Sequence, residues 1–355
     1  MPVLNKALFL LTIVTVVIFQ VVKAADFSNL LFVKLSSPSN GEKVQAGKSF
    51  KINYSLKPVT WQGVANGYAT NMNFKLLEGS GKSTGVHGSL GETFLKVRYC
   101  NDKTAETFFE WRGSVFAYIP GQAPKRVFEC VGMNVARASI ENGKLLSTSR
   151  ELTYFLDPVT HKKLDRWDNP WTGESLPVIH IANDPVQMAL PSTIPLDVRT
   201  NPHSNTAAIV AEIPLFYPNP LATPDGQFDA YDPNKMYQAG EFFTFKCASG
   251  DLEKPVIDNV DINWTRMSGF APFMKMGSSP GYLLYHCTGY KLPHGSSYEQ
   301  LDPLLVEEIE KDMVSYKNAP LSYDPEARSV SSWSYFKQHF DRYTNDKEAT
   351  WPIPA

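Results

Sequence analysis

The sequence predicts a mainly β protein, built as an antiparallel barrel with a C-terminal helix. Short apolar segments recur along the chain, and Asx-Pro pairs such as Asp157-Pro158, Asn169-Pro170 and Asn219-Pro220 separate them. Asx side chains favour turns, and Pro removes a strand hydrogen-bond donor. The chain is also rich in aromatic residues, with 16 Tyr, 21 Phe and 7 Trp, which suit strands and cavity walls. We expect a lipocalin-like barrel or a pair of half-barrels, with a sandwich as the alternative.

The strands predicted from these segments share β-branched and aromatic residues bounded by turn signals. They are residues 94–99, 107–119, 126–131, 152–156, 178–182, 242–247, 262–267 and 282–287.

One helix is predicted near the C-terminus. Asp302 suits the N-cap and Pro303 the first helical position. The apolar residues that follow at helical spacing are Leu304, Leu305, Ile309 and Met313. The aromatic segment 333–340 fits either a closing helix or a strand, and residues 341–355 are expected to form a flexible tail.

The first 24 residues predict export. Lys6 precedes an apolar run over residues 7–22, and the stretch ends in Val22-Lys23-Ala24, a pattern that signal peptidase reads. We expect cleavage after Ala24 and a secreted protein with no stable membrane span; an uncleaved anchor is the alternative, since the run is long enough to span. Residues 25–90 are interpreted as an N-terminal arm, with a partial immunoglobulin-like strand segment and a Gly/Ser-rich loop, and residues 91–340 as the barrel domain.

Charge and cysteine content narrow the function classes. The 34 basic and 36 acidic residues nearly balance and form no basic cluster, so nucleic-acid binding is not expected. Cysteines in an exported protein favour disulfides. Sequence proximity suggests Cys100 with Cys130 and Cys247 with Cys287, although the other connectivities stay open. Two N-glycosylation sequons begin at Asn53 and Asn263.

No motif predicts a metal or an organic cofactor. Gly277 to Gly281 matches a nucleophile-elbow pattern around Ser279, but the next residue is Pro280, which has no backbone N–H for an oxyanion hole. His180 and Asp184 could offer two metal ligands, which is a weak signal because a typical catalytic zinc site has three; a distant His286 could complete the set.

The strand around residue 264 predicts an interior charged residue. Side chains alternate between faces, so Ile262, Trp264 and Arg266 share one face, which is largely apolar. A buried guanidinium must be paired or must meet a ligand. Arg266 is therefore a candidate ligand contact, and a purely structural ion pair is the alternative.

Two histidines lie on apolar stripes. Val178 and Ala182 flank His180, and His286 shares a face with Tyr282. A lone His in such a place is more often a core residue, but a polar cluster inside an aromatic cavity is the functional alternative. Lys275, in an apolar turn, could join such a cluster.

These residues suggest an enzyme that acts by acid–base chemistry, such as isomerisation, cyclisation or elimination, on a small, partly apolar metabolite. His180, oriented by Asp184, would exchange a proton, and His286 would be the second proton carrier. Arg266 and Lys275 would stabilise negative charge. The residues expected to shape the pocket are Tyr154, Trp171, Asn183, Trp264 and Tyr282. The alternatives are a lipocalin-like carrier of a small apolar ligand and, with less support, a wall-associated protein.

A series of short motifs also occurs in a fixed order. They are Trp111-Arg112-Gly113, Tyr154 to Asp157, Trp167 to Gly173, His180 to Pro185, Leu215 to Leu221, Trp264-Thr265-Arg266, Phe273 to Gly277, Pro280 to His286 and Trp333 to Lys337. From Thr93 to Lys337 the chain resembles the domain-of-unknown-function family 1838, found in bacteria and fungi and often exported. The resemblance implies no activity, and the cysteines do not belong to the family pattern.

Overall fold

The fold is described from a computed structural model, which covers residues 90–100, 102–193, 197–346 and 349–355. The predicted signal peptide, the N-terminal arm up to residue 89 and the sequon at Asn53 lie outside the described residues.

Strands dominate the described part of the chain, as predicted. Their bounds are β1 Thr107–Tyr118, β2 Lys125–Glu141, β3 Lys144–Leu156, β4 Arg166–Asp168, β5 Ser175–Pro177, β6 Ile181–Pro191, β7 Asp197–Asn201, β8 Thr206–Pro218, β9 Met236–Ala248, β10 Asp261–Ser268 and β11 Tyr282–Lys291. The helices are α1 Leu90–Arg98, α2 Pro303–Lys311, α3 Ser332–Gln338 and α4 Phe340–Asn345.

Nine of the strands form one antiparallel sheet in the order β6-β3-β2-β1-β11-β10-β9-β8-β7, and β4 and β5 form a separate hairpin. The large sheet curls into a half-barrel. The mainly β, barrel-like class with C-terminal helices is thus confirmed, in an open form whose edge strands are β6 and β7.

Ring contacts on one face of the sheet show how strongly it curls. Phe109 on β1 and Phe245 on β9 have ring centroids 6.0 Å apart. Three inter-strand spacings separate these strands, which is about 14 Å in a flat sheet. The face that carries Phe109 and Phe245 is therefore the inner, concave face.

Helix α1 lies on this inner face. It contacts β2, β3 and β9, and a single short helix can reach all three only if the sheet wraps around it. Phe94 packs edge-to-face on Phe245 at 5.7 Å, and Leu95 and Val97 are buried beside it. The predicted strand at 94–99 is thus wrong, because a short apolar run fits a buried helix as well as a strand.

A buried lysine fixes the C-terminal end of α1. The Nζ of Lys291, on β11, donates hydrogen bonds to the carbonyl oxygens of Lys96 and Ile257 at 2.9 Å and to that of Tyr99. Burial lowers the pKa of Lys291 to about 8. The three carbonyls share one cation, so α1 is anchored to the strand that lies at the middle of the sheet.

The C-terminal helices cover part of the outer face. Asp302 caps α2 as predicted, accepting a hydrogen bond from the backbone N–H of Leu304 at 3.0 Å, and α2 contacts β2. The segment 333–340 is helical. Beyond it lie α4 and the buried Trp351, in the stretch expected to be a flexible tail. No helix among the described residues is long and apolar enough to cross a membrane.

The four cysteines are unbonded, so neither suggested disulfide, Cys100–Cys130 or Cys247–Cys287, is formed. The close pair is instead Cys130 and Cys287, whose sulfurs lie 3.5 Å apart across Gly113. The sulfurs are farther apart than the roughly 2.05 Å of a disulfide bond, so both cysteines are thiols in this structure.

We predict that Gly289→Ala destabilises the fold by about 2–3 kcal/mol, because the new Cβ would lie 1.9 Å from the carbonyl oxygen of Glu110 on the neighbouring strand. Gly250→Ala is the matched control, since its Cβ meets nothing within 4 Å. Urea unfolding of both variants measures the difference. Equal stability of the two would contradict this account of the close contact between β1 and β11.

Candidate functional site

The alternation predicted for β10 is present. Ile262, Trp264 and Arg266 face inward, and Arg266 exposes 20% of its side chain. Its guanidinium donates to the carboxylate of Glu241 and to the hydroxyl of Tyr237, both on β9. Burial alone lowers the pKa of Arg266, but the nearby Tyr237 and Glu241 outweigh it, so the net pKa is raised. Arg266 is a permanent, paired cation on one wall of the half-barrel.

A carboxyl group occupies the facing wall. Glu151, on β3, pairs in register with Asn134 on β2 and Asn183 on β6. Both amides point their Nδ2 at its oxygens, each at 3.4 Å, which is long for a hydrogen bond. The oxygen of Asn134 accepts a 2.6 Å hydrogen bond from Nη2 of Arg98, at the end of α1. Within the described part of the chain, Glu151 is therefore linked by hydrogen bonds to a cation only through the Asn134 amide.

Burial raises the pKa of Glu151, and the charge of Glu241 raises it further. The bond from Asn183 and the charges of Arg98 and Arg266 oppose this rise but do not cancel it. Glu151 and Glu241 are five inter-strand spacings apart, which would be about 24 Å in a flat sheet. The charge of Glu241 therefore affects the pKa of Glu151 because the sheet is curled.

Aromatic rings lie between the two walls. Trp111 on β1 and Trp264 have ring centroids 5.7 Å apart. Trp264 also lies 6.3 Å from Phe243, nearly parallel at 16°, and 5.8 Å from Tyr285. The polar groups therefore face one another across an aromatic floor, an arrangement typical of small-molecule sites.

Several buried polar atoms on this face have no hydrogen-bond partner among the residues that the structure describes. They are Nη1 of Arg98, Nε1 of Trp111, Nε1 of Trp264 and Oδ1 of Asn183. Trp264 exposes 8% of its surface and Asn183 exposes 9%. Buried polar groups are normally satisfied, so unmet donors gathered on one concave face indicate a place for a ligand or water.

We define the interior site as the inward-facing residues that surround Glu151 and Arg266. They are Arg98, Trp111, Asn134, Glu151, Asn183, Glu241, Trp264, Arg266 and Tyr285. Of the residues predicted from sequence, Arg266, Trp264 and Asn183 belong to it.

The predicted proton carrier His180 lies elsewhere. Thr153 and Ile181 face inward as a pair, so His180 and Tyr154 lie on the outer face, with ring centroids 4.8 Å apart. Nδ1 of His180 accepts a 3.0 Å hydrogen bond from the backbone N–H of Phe155, and burial lowers its pKa to about 3. His180 is thus a neutral, buried residue separated from Arg266 by the sheet.

The other predicted catalytic residues also lie outside the interior site. Asp184 forms an ion pair with Arg150 at 2.7 Å. His286 is exposed on the outer face, between the inward-facing Tyr285 and Cys287. The predicted convergence of His180, Arg266 and His286 is therefore not found.

Lys275 lies in a loop, where its Nζ donates to Glu174 at 2.7 Å, and the two side chains are 34% and 45% exposed. The exposed donor and acceptor hold the loop that follows Met274 and do not reach the interior site.

The remaining predicted pocket residues are dispersed. Trp171, in the β4–β5 turn, donates from its indole nitrogen to Gln122 at 3.0 Å, and Tyr282 stacks on Tyr118 at 5.1 Å near one end of the sheet. Asn263 of the second sequon is half-buried on the outer face of β10, beside Thr244 and Thr288.

Sequence reasoning missed Glu151, Glu241, Arg98 and Asn134. A usable signal exists in β3, where Ser147, Ser149, Glu151 and Thr153 alternate with other residues on one face of a largely buried strand. From the sequence alone, such a polar stripe predicts a solvent-facing surface, because the curl of the sheet that encloses it is not visible in the sequence.

Comparison with known families gives one match. Residues 104–340 match the family model described as "Protein of unknown function (DUF1838)". This range covers most of the motifs that carry the resemblance in the sequence, and it includes all strands of the sheet. A comparison with curated proteins found no match.

We predict that His180 makes the fold acid-sensitive. Its pKa is about 3 when folded against 6.5 ordinarily, so the unfolded chain binds the extra proton as the pH falls below 6.5. The free energy of unfolding should drop by about 2 kcal/mol between pH 6.5 and about 4.5 from this group alone.

His180→Asn is the matched control, because its amide oxygen can accept the hydrogen bond of Phe155 but does not titrate. Urea unfolding of both proteins at the two pH values isolates the contribution of the histidine. The same acid dependence in both proteins would show that His180 is not buried in its neutral form.

Proposed function

The chain belongs to the family of unknown function DUF1838, and we propose that its interior site catalyses acid–base chemistry on a small, partly apolar molecule. Isomerisation, cyclisation and elimination are the reaction types that need only proton movement and charge stabilisation. These reactions require no organic cofactor. The predicted signal peptide, residues 1–24, supports the further proposal that the enzyme acts outside the cell.

Glu151 is the observation that carries the proposal. It is a half-buried carboxyl group with a raised pKa, and from the described residues it accepts two long amide hydrogen bonds. A carboxyl whose pKa is raised by burial keeps its proton at higher pH than an ordinary glutamate, and it can give that proton to a substrate and take another back. The proton-carrier role expected of His180 therefore passes to Glu151, which faces the aromatic floor.

Arg266 supplies the fixed positive charge that the proposed reaction needs. Its guanidinium is fixed by Glu241 and Tyr237, so it need not reorganise when charge develops on a substrate. It lies on the wall facing Glu151, close enough to lower the pKa of that carboxyl. A substrate between the walls would meet a proton donor on one side and a fixed positive charge on the other.

A carrier function is the second candidate. The unpartnered indole nitrogens of Trp111 and Trp264, among aromatic rings, would also suit a protein that only retains a ligand. In that case the molecule recovered from the protein is unchanged. Product formation distinguishes the two functions.

We predict that Glu151→Gln lowers turnover at least about a hundredfold, because the amide keeps the shape but cannot carry the proton. The assay incubates purified protein with a metabolite extract and follows converted compounds by mass spectrometry. Glu212→Gln is the control, since Glu212 is exposed on the outer face of β8. Conversion by wild type and the control but not by Glu151→Gln is the expected result.

Equal conversion by Glu151→Gln and wild type would refute the catalytic role of Glu151. Retention of a compound without conversion, by wild type and variant alike, would favour the carrier.

We predict that kcat/KM of the identified reaction responds to one ionisation above pH 4.5, the ordinary pKa of a glutamate. Burial and Glu241 raise the pKa of Glu151, so its protonated form persists above that pH and is lost as the pH rises through the raised pKa. Activity that needs the protonated carboxyl should therefore fall as the pH rises, which gives the pH profile a descending limb. A profile measured on any residual activity of Glu151→Gln should lack the limb; an identical limb would assign it to another group.

A further inference from the structure

Arg98 is a cation with an unused donor. Its Nη2 donates to the amide oxygen of Asn134 at 2.6 Å, whereas its buried Nη1 has no partner. Among the described residues it forms no ion pair with a carboxylate. The guanidinium carbon lies 4.8 Å from the ring centroids of both Tyr99 and Phe109. The rings hold the group in place and leave the buried Nη1 without an acceptor.

The charges around Arg98 do not neutralise it. Arg266 is already paired with Glu241, and Lys291 is bound to three carbonyl oxygens, which carry no net charge. The half-buried Asp258 acts electrostatically on Lys291, whereas Glu151 senses the charge of Arg98, and burial favours the neutral form of Glu151. The inner face thus has an excess of positive charge, which favours an anion.

The aromatic floor formed by Trp111 and Trp264 limits the shape of the part of the ligand that lies beyond its anionic group. A Cβ on Gly132 would lie 2.6 Å from Nε1 of Trp111, so the glycine lets the indole lie directly against the backbone of β2. The Trp111 and Trp264 rings leave their N–H groups without acceptors. A flat, unsaturated body fits such a floor, because ring faces stack on one another.

We propose that the ligand of the interior site is an aromatic or conjugated carboxylate, whose carboxylate binds Arg98 and whose planar body lies over Trp111 and Trp264. This inference rests on the proposed function, since it names the substrate class of the same site. A guanidinium edge is matched to a carboxylate because it donates two parallel hydrogen bonds. Because Asn134 contacts both Arg98 and Glu151, a carboxylate bound to Arg98 would lie near Glu151. The conjugated body of the ligand would then lie beside the group that exchanges the proton.

The test compares cinnamate with cinnamamide, which share shape but differ in charge. Isothermal titration of the purified protein should show cinnamate binding at least about tenfold more tightly than the amide. Arg98→Gln should abolish this preference by weakening cinnamate alone. Arg126→Gln should keep it, because Arg126 lies on an exposed part of the sheet and pairs with Glu129.

Glu151→Gln separates this inference from the catalytic proposal. The variant should keep the preference for cinnamate even though turnover is lost, since Arg98 and the aromatic floor are intact. If cinnamate and cinnamamide bind wild type equally, or if neither binds, the carboxylate class is wrong, whatever the effect of Glu151→Gln on turnover. If Arg98→Gln does not fold, Arg98→Lys replaces it, and its lost bidentate geometry should still reduce the preference.

Discussion

The curl of the nine-stranded sheet is the constraint on which the rest of the molecule depends. It brings Glu151 on β3 and Glu241 on β9 into electrostatic contact, although four strands lie between them. The curl is filled at one end by α1, and Lys291 anchors that helix by binding its terminal carbonyl oxygens. A flatter sheet would leave the same side chains as isolated surface residues.

Close backbone approach supports this curvature. Gly289 lies against the carbonyl of Glu110, and Gly113 leaves space in which the sulfurs of Cys130 and Cys287 approach each other. Side chains at these positions would push β1 away from its neighbours. The interior site thus depends on residues that make no contact with a ligand, since they determine how near the two walls come.

The sequence predicts the strand class and part of the site because both depend on local pattern. Alternation along β10 places Trp264 and Arg266 on the inner face, where the structure has them. The same reasoning identifies an apolar setting for His180 but cannot tell which face it is on. Both faces of the central strands are covered, so an apolar stripe marks either the interior or the layer beneath the C-terminal helices.

Residues whose role depends on tertiary curvature could not be predicted. Glu151 follows Arg150 in a polar stretch and reads as a surface charge, and Arg98 belongs to a segment that looked like a strand. The two cysteine pairs chosen by proximity failed for the same reason, because the neighbour of Cys130 comes from the far end of the chain.

The pKa of Glu151 in the folded protein is the measurement that tests the account most directly. Carboxyl carbon NMR of protein labelled at glutamate, with Glu151→Gln to assign the resonance, would follow its titration. The account predicts a midpoint clearly above the ordinary value of 4.5, because burial and Glu241 both disfavour the charged form. A midpoint at or below that value would mean that Glu151 is solvated or paired, and the interior site would lose its proton carrier.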